Sequence, residues 1–215
     1  MTAAAPARPR RPGRLPRSRA TLLDCAVQAF VERGYEGTSM EHLAARLSIS
    51  KSSIYHHVLG KAELYVQALD EAAAHFAPVL DAVAAPCAAH RGTDRLAHFV
   101  RTALELPADG RARLELLLSI RDGREEAPGA LARRRHLEAR VADLVALAAR
   151  ESAADEGVPG HVSGRFSEPV PVGVRTRLLL DLLCSLLVQR RLGRLPDGAA
   201  GDPAALARLA TGCVR

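Results

Sequence analysis

TSMEHLAARLSISKSSIYHHVLGKAEL, residues 38–64, is the stretch around which the rest of the chain is read. Thr38 and Ser39 open it, and either hydroxyl can accept a hydrogen bond from a helix-end N–H. Met40, Leu43, Ala44 and Leu47 follow at three- and four-residue steps, the spacing of one buried helical face. Ser48, Ile49 and Ser50 interrupt that run, and Ser50 can cap a second short helix carrying Ile54, Tyr55 and Val58. Two short helices joined by a tight turn, the second opening on small hydroxyl and basic residues, describe a helix-turn-helix.

The same residues resemble the DNA-binding segment of the TetR family of bacterial transcriptional regulators. Ser39, Leu43, Ala44, Leu47, Ile49, Ser50, Ser53, Ile54, Tyr55, His57, Val58, Lys61 and Leu64 stand where the family pattern wants them. Ser48 departs from it, because the family usually places Gly at this turn. A side chain held in a left-handed turn costs about 1 kcal/mol, so a slightly strained or a differently wound turn is expected here. Val58, where Phe is commoner, is a smaller departure.

Composition limits the alternatives. The 215 residues suffice for one or two packed domains. Aromatics make up 3%, with no Trp, which favours an all-α fold over a β-rich one. The net charge of +6 is concentrated: Arg8, Arg10, Arg11, Arg14, Arg17 and Arg19 account for it, and the remaining residues carry 24 bases against 24 acids. Residues 1–17 are too polar and proline-rich to bury much surface and read as a disordered basic arm. That arm is either a solvated tail or a segment that neutralises phosphates or enters a minor groove.

The four cysteines, Cys25, Cys87, Cys184 and Cys213, are widely separated and read as thiols in a reducing compartment, with a redox sensor as the alternative. No apolar leader and no uninterrupted apolar run of membrane-spanning length is visible, so a cytoplasmic chain without a membrane partner is expected.

A first helix is expected over 18–33, stopped by Gly34, with Leu22, Leu23, Ala26, Val27, Phe30 and Val31 inward. Tyr35 should close a small core with Phe30, Leu43, Leu47 and Ile54. The second and third helices fall at about 40–47 and 51–57. In the third, Ile54 and Val58 turn inward, leaving Lys51, Ser52, Ser53, Tyr55 and His56 outward. Short polar side chains there allow close approach to base edges in a major groove.

Lys51, Ser52 and Ser53 are the candidates for base edges. The resemblance positions Tyr55, His56 and Lys61 on phosphates, and Ser39, Arg46 and Ser50 can add backbone-type contacts or simply cap helices. Adjacent His56 and His57 point to different helix faces, which argues against a shared metal ion. No metal or cofactor is expected.

The helix-turn-helix module is drawn over residues 18–78, with the motif at about 39–58, and a larger helical domain over 79–215. A fourth helix runs over 61–76, and Pro78 marks its end or a kink. Further helices are expected at 79–89, 93–106 (capped by Thr93), 111–122, 130–152, 174–192 and 203–211, with 153–173 as loop. Residues 174–192 are apolar around much of the circumference, so that helix is either central in its own core or half-buried against a partner.

The resemblance implies a homodimer formed by the last two long helices, with Leu137, Val141, Leu144, Leu179, Leu183 and Leu186 as interface candidates. It also implies a double-stranded palindromic operator, a small-molecule effector, and most often repression. His98, Phe99, Arg101, Thr102, Glu105 and Leu118 are the candidates for an effector pocket. Against an enzyme, the chain holds no G-x-S-x-G elbow, phosphate-binding glycine loop, dinucleotide fingerprint or H-E-x-x-H pair.

Overall fold

The computed structural model describes residues 19–87, 89–120, 127–155 and 170–194. The expected basic arm, the helix at 203–211, residues 156–169 of the expected loop and Cys213 lie outside the described residues. Every regular element among the described residues is a helix.

The first is α1 (Arg19–Gly37), whose buried face is Leu22, Leu23, Ala26, Val27, Ala29 and Phe30. Gly34 interrupts it at φ 72°, ψ 174°, which is the stop read from the sequence. Thr38 is buried and does not cap the next helix. Its hydroxyl lies 3.1 Å from the Ala29 carbonyl oxygen and 2.9 Å from that of Gly34, fastening the loop onto the end of α1. The cap of α2 (Met40–Arg46) is Ser39, whose Oγ accepts from the His42 N–H at 3.1 Å.

α4 (Lys61–Ala84) corrects one sequence boundary. It follows the short helix α3 (Lys51–Tyr55) and carries Pro78 in its interior, so the helices expected at 61–76 and 79–89 are largely one. An interior proline costs about 3 kcal/mol. Leu80 and Val83 continue the buried stripe of Leu64, Tyr65, Ala68, Leu69, Ala72 and Phe76. Each buried side chain of that size contributes roughly 1.5–3 kcal/mol, enough for two of them to offset the proline. The boundary drawn at residue 78 therefore falls inside a helix that packs on α1 as well as on the body.

The body comprises α5 (Thr93–Glu105), α6 (Ala108–Ser119), α7 (Ala130–Asp155) and α8 (Val172–Arg191). α4 packs on α5, α6 and α7, and α8 lies against α6 and α7. Thr93 is the first residue of α5 rather than its cap. Gly92 holds the cap position at φ 56°, and its N–H donates to Glu151 Oε2 at 2.8 Å. A Cβ there would stand 2.6 Å from Ser152 Oγ, so close approach of the loop to α7 requires glycine.

Two buried arginines tie these layers. Arg95 is 2% exposed; its Nε and Nη2 bond Glu151 at 3.0 and 2.7 Å, and Nη1 donates to the carbonyls of Val83 and Ala85. It joins the end of α4, α5 and α7 through one side chain. Arg113 of α6 reaches Asp24 of α1, Glu71 of α4 at 2.9 Å and Asp109 at 3.3 Å, linking the body to the first helix.

Candidate nucleic-acid interface

The turn between α2 and α3 fixes how the second helix is presented. Leu47 ends α2, and Ser48 follows at φ 52°, the left-handed conformation expected from its place in the sequence. The Ser48 N–H bonds the Ala45 carbonyl at 3.1 Å and the Ile49 N–H bonds the Ala44 carbonyl at 3.0 Å. This is the Schellman arrangement, completed by a glycine in most helices that end this way. Ile49 packs against the core and anchors the turn.

Ser50 caps α3, accepting from the Ser53 N–H at 3.2 Å, with its Oγ 2.8 Å from Ser52 Oγ and 2.7 Å from Ser53 Oγ. Ile54 and Val58 are buried, as their spacing predicts. Lys51, Ser52, Tyr55 and His56 are exposed, and Ser53 is half-buried against its cap. Behind them sits an aromatic cluster. Tyr35 lies 6.2 Å from Phe30 and 4.9 Å from Tyr65, and the Phe30 and Tyr65 rings meet edge-on at 4.8 Å. Tyr65 was absent from the sequence reading, although it stands three residues before Ala68 and four before Leu69 on the buried side of α4.

The three basic candidates of this surface, Arg46, Lys51 and Lys61, are engaged within the chain. Arg46 makes a two-pronged pair with Glu32 at 2.6 and 3.0 Å. That pairing holds the Glu32 carboxyl below its ordinary value and raises the guanidinium. The Lys51 ammonium pairs with Glu41 and sits 6.0 Å above the Tyr55 ring centroid. Here too the hydrogen bond between them lowers the Glu41 carboxyl and raises the lysine. Lys61 donates to the Tyr35 carbonyl at 3.0 Å, lies 4.2 Å over the Tyr35 ring, and has Glu36 at 3.8 Å. Ser39 and Ser50 cap their helices through their side-chain oxygens. Lys51, Ser52, Tyr55 and His56 thus share the open face, whereas the basic candidates Arg46, Lys51 and Lys61 are engaged by carboxylates or an aromatic ring.

The other candidate sets fare differently. Phe99 is fully buried and meets Phe76 edge-on at 6.2 Å, a core contact. His98 stacks on His90 with centroids 4.2 Å apart, and desolvation followed by the His90 and Arg101 charges depresses its basicity. Arg101 and Glu105 are exposed, and Thr102 is half-buried. A cleft of about 480 Å³ instead opens between α6, α7 and α8, lined by Leu118, Ile120, Arg134, Glu138, Arg177, Asp181, Cys184 and Gln189. A second, of about 230 Å³, lies between α4 and α7, lined by Ala73, Phe76, Ala77, Leu80, Arg133 and His136. Of the six pocket candidates, Leu118 alone lines either cleft.

Leu137, Val141, Leu144, Leu179 and Leu183 are buried in the chain's own core, which removes them from contact with a partner; Leu186 is half-buried. The face that α8 leaves open carries Val174, Leu178 and Leu182, exposed by 49%, 55% and 37%. Periodicity could not rank these leucines, because the helix is apolar on nearly every side. Burial pushes the Cys25 thiol up, away from a reactive thiolate. Among the described residues, no helix is long and apolar enough to cross a membrane, and no group of three potential metal ligands occurs.

A Schellman-turned α2 and a serine-capped α3, carried by α1 and α4 in front of an all-helical body, are the construction of a helix-turn-helix transcriptional regulator. A model of the bacterial regulatory proteins of the tetR family matches residues 22–68. A solved TetR transcriptional regulator family member from Streptomyces coelicolor A3 is 37% identical, with 90% of each chain covered and a TM-score of 0.59. This chain belongs to the TetR family of transcriptional regulators.

Among curated relatives, the transcriptional activator FasR of Mycolicibacterium smegmatis is 36% identical over 107 residues, 49% of this chain and 40% of that one. The negative transcriptional regulator IcaR of Staphylococcus epidermidis is 31% identical over 55 residues, 26% of this chain and 30% of that one. The match thus spans less than half the length of these curated relatives.

Proposed function

We propose that the chain is a dimeric, sequence-specific DNA-binding repressor that a small molecule releases from a palindromic operator. The observation carrying the reading is α3: a five-residue helix capped by Ser50, anchored from behind by Ile54 and Val58, with Lys51, Ser52, Tyr55 and His56 open to solvent. Its backbone can enter a major groove because its leading side chains are short. In this reading Lys51, Ser52 and Ser53 address base edges, Tyr55 and His56 address phosphates, and Ser39, Arg46, Ser50 and Lys61 support them at the margin.

The dimer uses the Val174, Leu178 and Leu182 face of α8, and two-fold symmetry then offers two copies of α3 to two half-sites. The effector site is the cleft between α6, α7 and α8, where Leu118 and Ile120 supply apolar walls and Arg134, Glu138, Arg177 and Asp181 polar ones. An effector acts only if it binds one arrangement of head and body better than another. The Arg113 contacts with Asp24 and Glu71 offer a rigid route between the two.

Selection of bound sequences from a random duplex pool, using the full chain, tests this directly. A recovered motif with two-fold symmetry, lost on Tyr55→Ala, supports the reading. Recovery of no enriched sequence would overturn it. A reporter driven by the recovered site then gives the sign of regulation, and increased expression with the protein present would replace repression by activation.

A further inference from the structure

Three of the head's positive side chains, Arg46, Lys51 and Lys61, face carboxylates, and one of these pairs sits on the reading face itself. Lys51 leads α3, and its ammonium is held by Glu41 from the first turn of α2. Both are solvent-exposed, so the pair adds little to folding and can exchange partners readily. Arg46, on the same helix as Glu41, is occupied in the same manner by Glu32. The Ser39 hydroxyl, whose oxygen caps α2, also bonds the Glu41 carboxylate, and Lys51 has the larger effect on that carboxylate. A carboxylate placed there repels phosphate oxygens that approach α3 and competes with them for Lys51.

Resting on the DNA-reading role proposed for α3, we propose that Glu41 is a specificity-determining residue. Its carboxylate occupies Lys51 in the free protein, so that Lys51 contributes little to binding DNA of arbitrary sequence. It is released where a matched base edge supplies a better aligned acceptor than a phosphate does. A guanine presenting O6 and N7 in the major groove is such an acceptor. Non-specific affinity is thereby held down while the specific contact is retained, which widens the ratio that matters for site selection. Glu41 acts through Lys51 and is a positioning residue rather than a base contact.

The test is a double-mutant cycle on a labelled random-sequence duplex, titrated with the full-length protein between about 50 and 200 mM salt. Glu41→Gln is expected to tighten random-duplex binding roughly three- to five-fold and to steepen the log–log salt slope by about 0.9, the signature of one additional phosphate contact. Lys51→Gln alone is expected to change it less than about two-fold, whereas in the Glu41→Gln background it should abolish the gain. On a sequence recovered by selection, Glu41→Gln should gain less than on random DNA, lowering the specificity ratio.

Two outcomes overturn the proposal. The first is that Lys51→Gln alone weakens random-duplex binding as much as it does beside Glu41→Gln, meaning the lysine was already free. The second is that the Glu41→Gln gain persists without Lys51, meaning that Glu41 acts only as a bulk charge. A wild-type protein that binds no duplex at any salt would instead sink the DNA-reading role itself.

Discussion

Replacing Ser48 by glycine should stabilise this protein, and the size of the gain follows from the turn. Ser48 is the one non-glycine residue with positive φ among the described residues, at 52°. Holding an L-residue in that region costs roughly 1–2 kcal/mol. Glycine removes this strain but costs about 0.4–1 kcal/mol through the greater freedom of the unfolded chain. The Ser48 and Ile49 amide bonds to Ala45 and Ala44 involve backbone alone, so the substitution keeps both. The difference lies between about 0 and 1.6 kcal/mol and centres on a stabilisation of about 0.8 kcal/mol, or roughly 2–3 °C in Tm for a chain of this length.

Urea and thermal denaturation at matched protein concentration measure it, since any self-association makes the midpoint concentration-dependent. Ser48→Ala is the control: it keeps the Cβ and should stay within about 0.5 kcal/mol of wild type. DNA affinity should hold within about two-fold for Ser48→Gly, because glycine accepts the existing backbone angles. A destabilised Ser48→Gly, or a Ser48→Ala that gains as much, would refute strain at this turn.

Glu151→Gln leaves Arg95 buried with half its partners and should cost about 2–4 kcal/mol, measured by urea denaturation at neutral pH. The Arg95 guanidinium holds the Glu151 carboxyl below its ordinary value. Its stabilising contribution is therefore full above the unfolded carboxylate range, near pH 4.3, and is lost as pH falls through the lower folded value. In Glu151→Gln that share of the acid-side decline should vanish, and an unchanged decline would count against the pairing. Arg113→Met should destabilise by about 1–3 kcal/mol and speed amide exchange in α1 more than in α7, because Asp24 and Glu71 lose their shared cation. Leu178→Lys should yield a folded monomer by analytical ultracentrifugation, whereas Leu179→Lys should fail to fold stably, although the two residues are adjacent.

The head was legible in the sequence because its devices are local. Ser39 and Ser50 as caps, Gly34 as a stop, the inward turn of Ile54 and Val58, and strain at Ser48 all depend on residues within one or two helical turns of each other. Pro78 misled because its local penalty was outweighed by burial of Leu80 and Val83 against elements elsewhere in the chain. Thr93 misled because the Gly92 amide had a better partner in Glu151, 59 positions away.

The pairing of cations lay beyond reach for the same reason. Glu32 and Arg46 are 14 positions apart, Arg113 and Asp24 are 89 apart, and no period links them. Nor could spacing say which leucines of α8 turn inward, since an all-round apolar helix offers every face equally. By itself, the sequence determined that 38–64 is a helix-turn-helix with Lys51, Ser52, Tyr55 and His56 on its open face. Tertiary packing decided that Lys51 meets Glu41 there, that Leu179 faces the core and that Leu178 faces outward. Short-range geometry is written in residue order, whereas charge partners and buried faces are set only when distant helices come together.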